Sequence, residues 1–285
     1  MRYFFIFIKI TEQKMITNIY KFEVRRIFRS VIFWTFFVCL LIVVDMVFYR
    51  EMIKSGMVDQ LIDFMDSPFV GDMMKGFGVK PETMTDALGF YALRNTMITM
   101  LMGALFAIIA SSALISKEEF EKTAEFLYSK PVKRVDVLTG KLLAFHTNLL
   151  FLNIVSSLVG FISLEIFKNS VYNLCSYFIL CIYTYFLTLI FGAFGLFFSL
   201  LVKRGRVFTG AIIGIVLGLY FLEIISNVTP SANFLGYISP FKYADKDVLR
   251  PDYNLEFWKS TFFIGSTIIL TLISYRIFQR KDIII

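Results

Sequence analysis

Of the 285 residues, 57% are hydrophobic and 18% aromatic, and the mean hydropathy is +0.70. Globular chains carry about 45–50% apolar residues, so a soluble domain of this length has no interior large enough for this composition. The net charge of +7 and pI near 9.2 invite a nucleic-acid partner, but the positive charge gathers at one membrane face, which excludes nucleic acid in favour of a lipid surface.

The chain opens with "MRYFFIFIKI", apolar but too short to span a bilayer, with no small-residue cleavage site after it. Met15 is a natural start, so residues 1–14 are expected to be a poorly ordered or non-native extension, and 15–285 a single transmembrane domain. In "ITNIYKFEVRRIFRS", Ile16, Ile19, Tyr20, Val24, Ile27 and Phe28 share one helical face, leaving Lys21, Arg25, Arg26 and Arg29 for phosphate headgroups. That spacing predicts an amphipathic helix lying in the membrane interface, with a plain basic flank as the alternative.

A helix needs about 20 apolar residues to cross the hydrocarbon core. Six runs reach that length: 31–49, 96–116, 142–167, 174–202, 207–227 and 257–277. The fourth is long enough that it must tilt, kink near Gly192 and Gly195, or protrude. Between the first two runs, Met52, Ile53, Val58, Leu61, Ile62, Phe64 and Met65 predict a helix with an apolar side, able to lie on the outer leaflet or cap a pathway. Gly210, Gly214 and Gly218 in the fifth run repeat the Gly-x-x-x-Gly spacing that lets another helix approach closely. Asp45, Glu165 and Glu223 sit in apolar runs toward their outer ends, as boundary residues or as an acidic path for a cationic cargo.

Cys39, Cys175 and Cys181 all fall in apolar runs, so no disulfide framework is expected. The single histidine, His146, excludes a two-His zinc site and is read as a packing residue. Flanking charge sets the orientation: residues 1–30, 117–141, 203–206 and 276–285 hold 19 of the 29 Lys and Arg but only 8 of the 22 acids. By the positive-inside rule those segments, and both termini, are cytoplasmic.

The densest of them is "SKEEFEKTAEFLYSKPVKRVDVLTGK", residues 116–141, with eleven residues charged at neutral pH among twenty-six. Each charge at mid-bilayer would cost about 2.5–3.5 kcal/mol, so the segment lies in the cytoplasm. It nevertheless has helical periodicity: Phe120, Ala124, Leu127 and Tyr128 fall on one face, Ser116 is a candidate N-cap, Glu118 and Glu119 suit the first turn, and Pro131 ends the helix. An amphipathic helix of this kind is suited to a groove in a soluble partner.

These residues resemble the cytoplasmic loop of type-2 ABC-transporter permeases. Glu119, Glu121, Thr123, Glu125, Leu127, Pro131, Val132, Arg134, Gly140 and Lys141 fill the places of that family's pattern, while Lys122 departs from the usual Gly. The basic segment before the first run resembles the family's elbow helix, "ISPFKYADKDVL" its stretch before the last span, and "YRIFQRKDI" its C-terminus. The resemblance implies an all-α integral membrane protein of six transmembrane helices, with an N-terminal amphipathic elbow helix and a cytoplasmic coupling helix between spans two and three. It implies a homodimer, with Gly210, Gly214 and Gly218 at its packing, bound to two ATPase subunits. Glu118, Glu119, Phe120, Glu121, Thr123, Glu125, Leu127, Pro131 and Arg134 would engage the ATPase, moving a peptide, lipid or drug outward across the cell membrane.

No Gly-x-x-x-x-Gly-Lys-Ser/Thr sequence occurs, and Gly140-Lys141 is followed by Leu142, so no phosphate cradle is expected in this chain. Nor does a nucleophile–base pair or a cofactor fingerprint stand out. The chain is therefore expected not to be an enzyme, with ATP and Mg bound by the partner. The rival readings are a gradient-driven transporter or channel, and a non-transporting peptide-sensing or immunity protein.

Overall fold

The computed structural model describes the backbone of residues 2–65, 67, 70–71, 73–74, 77–120, 133–201 and 206–280, and the side chains of these except 2–15, 116–120, 206–207 and 230. Among the described residues every regular element is helical. Six helices among the described residues are long and apolar enough to cross a membrane, numbered spans 1 to 6 in chain order.

Span 1 is one unbroken helix, Arg2–Lys54. No Gly or Pro precedes Gly56, whose φ of 69° turns the chain out of the helix. The elbow expected over 15–30 is therefore not a separate element; it is continuous with the first span. Its apolar stripe packs against the helix that begins at Arg134. Tyr20 Oη and Thr147 Oγ1 share a hydrogen bond at 3.1 Å, and Phe28 meets Phe151 edge-on at 5.3 Å. Gly140 admits this approach, because a Cβ there would stand 3.0 Å from Ile19 Cγ2 and 3.3 Å from the Ile16 carbonyl. Further along, Val31, Val38, Ile42, Met46, Tyr49 and Met52 continue the buried stripe at helical spacing.

Span 2 starts earlier than the apolar run suggests. Its spanning stretch is Ala87–Ile115, built from an α-helix Ala87–Asn95, a π-helical turn Thr96–Met100 and an α-helix Leu101–Phe120. Asp86 caps its start by accepting the Gly89 N–H at 2.8 Å. Arg94 and Asn95 interrupt the apolar run without ending the helix: Arg94 pairs with Asp45 of span 1 and Asn95 donates to Thr184. Span 3 is Arg134–Phe167, span 4 Leu174–Leu201, span 5 Arg206–Val228 and span 6 Phe257–Arg280.

Span 4 lies at the centre of the bundle, against spans 2 and 6. The glycines read as a possible kink are places of close packing in a continuous helix. A Cβ on Gly192 would come 2.7 Å from the Phe145 ring, and one on Gly195 would meet Ser111 Oγ, the Ile108 carbonyl and, at 2.9 Å, Ile108 Cα. Between helices in lipid, association depends on such contact, since the surrounding tails are as apolar as the side chains.

Contacts between spans define two ends. Glu23, Leu114 and Lys141 meet at one, with Thr139 and Tyr275 bonded at 2.9 Å near them. At the other end Tyr49 Oη donates to the Thr85 carbonyl at 2.9 Å, and Tyr183 Oη accepts the Glu256 N–H at 3.0 Å. The helix ends that flank residues 121–132 and 202–205 lie at the first end; those that flank 55–86, 168–173 and 229–256 lie at the second. The last of these is pinned by Phe241, which sits 5.2 Å from Phe191 of span 4 and 5.3 Å from Tyr220 of span 5. Ser239 Oγ, accepting the Phe241 N–H at 3.3 Å, and Pro240 at the first helical position set the turn that presents it.

Candidate functional site

At the first end the helix of span 2 runs through Ser116 to Phe120. Ser116 is thus a helical residue and not the N-cap that its type suggested; with no Gly or Pro between Ala104 and Phe120, nothing stops the helix there. Glu118, Glu119 and Phe120 form the backbone of its last turn, whereas Glu121, Thr123, Glu125, Leu127 and Pro131 lie outside the described residues. Arg134 opens span 3 and is half-buried, and Asp136 occupies the first turn, where the helix dipole favours a carboxylate.

Where this connection joins the bundle there is a buried ion pair. Glu23 and Lys141 are each 1% exposed. Lys141 Nζ lies 2.8 Å from Glu23 Oε1 and donates to the Leu114 carbonyl at 2.9 Å. Arg26 reaches the second Glu23 oxygen at 2.7 Å. Buried charges persist only where geometry and further interactions repay their desolvation; the Leu114 carbonyl supplies a hydrogen bond to the ammonium and Arg26 a second ion pair to the carboxylate. A single ammonium group therefore ties the start of span 1, the end of span 2 and the start of span 3. Lys141 entered the sequence reading only as a motif position, and Glu23 not at all. The signal was there: Glu23 stands four residues from both Ile19 and Ile27, on the apolar stripe itself.

Within the bundle, neutral polar groups pair across spans. Asn95 Nδ2 donates to Thr184 Oγ1 at 2.9 Å, linking spans 2 and 4, and Asn153 Nδ2 to Thr188 Oγ1 at 3.3 Å, linking spans 3 and 4. His146 bonds through Nδ1 to the Leu142 carbonyl at 2.8 Å, one turn back on its own helix.

At the second end each acid of the sequence reading has its own partner. Asp45 takes Arg94 at 2.6 Å, an ion pair between spans 1 and 2. Glu165 takes Lys168 and Tyr172, each at 2.7 Å. Glu223, 4% exposed in its side chain, takes Lys246 at 2.6 Å and the Asn227 amide at 2.8 Å. These partners compensate each carboxylate where it stands.

Asp245, in the linker before span 6, accepts from Lys259 at 2.8 Å, Arg250 at 3.2 Å and the Asp247 N–H at 3.1 Å. Burial alone pushes its carboxyl up, but these hydrogen bonds and the Lys259 and Arg250 charges outweigh it and hold the group below the usual carboxylate range. A depressed pKa contributes stability that is present above the unfolded value, about 3.9, and lost as pH falls through the lower folded value. Asp245→Asn is therefore expected to melt below wild type at neutral pH, with the gap narrowing once pH drops below about 4. Thermal melts of the two proteins across that range check this; a gap independent of pH would contradict it.

Gly210, Gly214 and Gly218 present a different surface. A Cβ on any of them would meet nothing within 4 Å, so this edge of span 5 has no neighbour among the described residues.

A family model described as "ABC-2 family transporter protein" matches residues 17–283. No curated protein matches the chain.

Proposed function

The chain belongs to the ABC-2 family of transporter proteins, and from that premise we propose that it is the permease subunit of an ATP-driven exporter. Membership makes it the membrane component of an ABC transporter; the finer assignments are our reading. The 116–133 segment is the handle on which a separate ATPase, binding ATP and Mg, pulls. Glu118, Glu119, Phe120, Glu121, Thr123, Glu125, Leu127, Pro131 and Arg134 make the contact. Two ATPases serve a dimer of this chain, whose copies meet along Gly210, Gly214 and Gly218, the face left open in the monomer. Both termini are cytoplasmic and the protein sits in the cell membrane. The cargo is a hydrophobic or amphipathic peptide, lipid or drug.

The observation that carries this reading furthest, beyond the family match, is the Glu23–Lys141–Leu114 junction. A push on the segment arrives where three spans are joined by one buried cation, so it moves them together rather than bending one. The rival reading, a gradient-driven transporter, is favoured by the Asp45–Arg94 ion pair between spans, at 2.6 Å. Reconstitution with the ATPase separates the two. Export predicts cargo-stimulated ATP hydrolysis and cargo movement that stops without ATP; movement driven by an ion gradient alone would reverse the order of the readings.

A further inference from the structure

On the end opposite the ATPase handle, a cleft of about 390 Å³ opens between the 55–86 connection, the last turns of span 5, the 229–256 linker and the start of span 6. Lys80, Lys242, Lys246 and Lys259 line it together with Glu223, Asp245 and Asp247, leaving one positive charge in excess. Every carboxylate is already engaged: Glu223 by Lys246 at 2.6 Å, Asp245 by Lys259 at 2.8 Å, Asp247 by Lys80 at 3.1 Å. Lys242 is the exception among the lysines. It donates to the Asn233 carbonyl at 3.0 Å and to Asn233 Oδ1, and its Nζ sits 3.9 Å from the centre of the Tyr237 ring. Among the described residues it has no carboxylate, so the surplus charge of the cleft resides there.

This asymmetry selects the sign of a ligand. A cation entering the cleft must displace a lysine from its own carboxylate, whereas an anion finds an ammonium held only by neutral acceptors and a ring. Exposed apolar side chains adjoin these lysines in the chain: Phe234, Tyr237 and Ile238 precede Lys242, and Trp258 precedes Lys259, with Tyr237 under the Lys242 ammonium and Trp258 edge-on to Tyr243 at 5.5 Å. Aromatic side chains at the level of a helix end suit the boundary between headgroups and tails.

We propose that this cleft binds a phosphate group, that of an amphiphile's headgroup, with Lys242 as its counter-ion and the exposed Tyr237 and Trp258 beside its lysines holding the adjoining apolar chain. Placing it on the outer leaflet rests on the orientation proposed above; the binding chemistry does not. It adds to the transporter a site for phosphate-bearing lipid or cargo apart from the handle.

The test uses the full chain in an uncharged maltoside micelle with Trp34→Phe, so that Trp258, beside the cleft, is the only tryptophan. Short-chain phosphatidylglycerol, inorganic phosphate and the matching phosphate-free diacylglycerol are titrated against its fluorescence. Phosphatidylglycerol should give a saturable change, and diacylglycerol a response at least about tenfold weaker, as expected when a charge-assisted hydrogen bond is missing. Lys242→Gln should weaken phosphatidylglycerol by a similar factor. Asp247→Asn, which frees Lys80, should tighten it, an outcome that misfolding cannot mimic. Saturation by inorganic phosphate with the same dependence on Lys242 would keep the site and assign the free anion as its ligand. Equal binding of diacylglycerol, or a wild-type affinity in both Lys242→Gln and Asp247→Asn, would overturn the proposal. No ATPase enters the experiment, so its failure is distinct from failure of the exporter reading.

Discussion

Replacing Glu23 by Gln is expected to destabilise the purified protein by about 3–5 kcal/mol, the loss found when one member of a buried ion pair is removed. The ammonium of Lys141 is 1% exposed and has no route to water. It would keep the Leu114 carbonyl but lose the full negative charge of Glu23, which stands 2.8 Å from it. Lys141→Met should cost less, because Arg26 remains 2.7 Å from the Glu23 carboxylate. The double variant Glu23→Leu/Lys141→Met should recover much of the loss, since apolar groups of similar volume often replace a buried pair with little penalty. Thermal melts in one detergent measure all three, and the pair's coupling is the departure from additivity, about 0.5–3 kcal/mol for groups in contact. Additive single effects would mean that the two charges do not face each other.

A matched pair of glycine substitutions should separate the two roles that small residues play here. Gly195→Ala places a methyl group against the Ile108 backbone, 2.9 Å from its Cα, and neither helix can yield without shifting the interface of spans 2 and 4. Overpacking of this kind costs about 1–3 kcal/mol, and a backbone partner puts it at the upper end. Gly214→Ala meets nothing within 4 Å and should leave the melting temperature of the monomer unchanged or slightly raised. Equal losses in both variants would contradict the packing described.

The six spans were legible because each apolar run exceeds the bilayer's demand, and their helices match the runs closely in spans 4, 5 and 6. Span 2 was misplaced at its start for an identifiable reason. Arg94 and Asn95 read as a polar boundary, yet their partners, Asp45 and Thr184, are 49 and 89 residues away and invisible to any local pattern. The same distance in sequence hid Glu23 and Lys141, 118 residues apart. The basic segment before span 1 shows a further limit. An apolar stripe states that a face is buried without naming what buries it, and here span 3 does, through Gly140 and Thr147. Gly192 and Gly195 carry the analogous ambiguity: the residue that permits a kink also permits contact, and only the positions of Phe145 and Ile108 decide.

The handle itself is the central claim, and one experiment addresses it directly. A tagged copy of this chain, in detergent, is used to pull down a candidate ATPase subunit together with an untagged copy of itself. The comparison is the variant carrying Phe120→Asp and Glu121→Lys, which reverses the character of the segment while leaving Glu23, Lys141 and the glycine edge of span 5 intact. The account predicts that wild type retains the ATPase, whereas the variant loses it and still retains the second copy. Undiminished ATPase binding by the variant, or none by wild type, would contradict it.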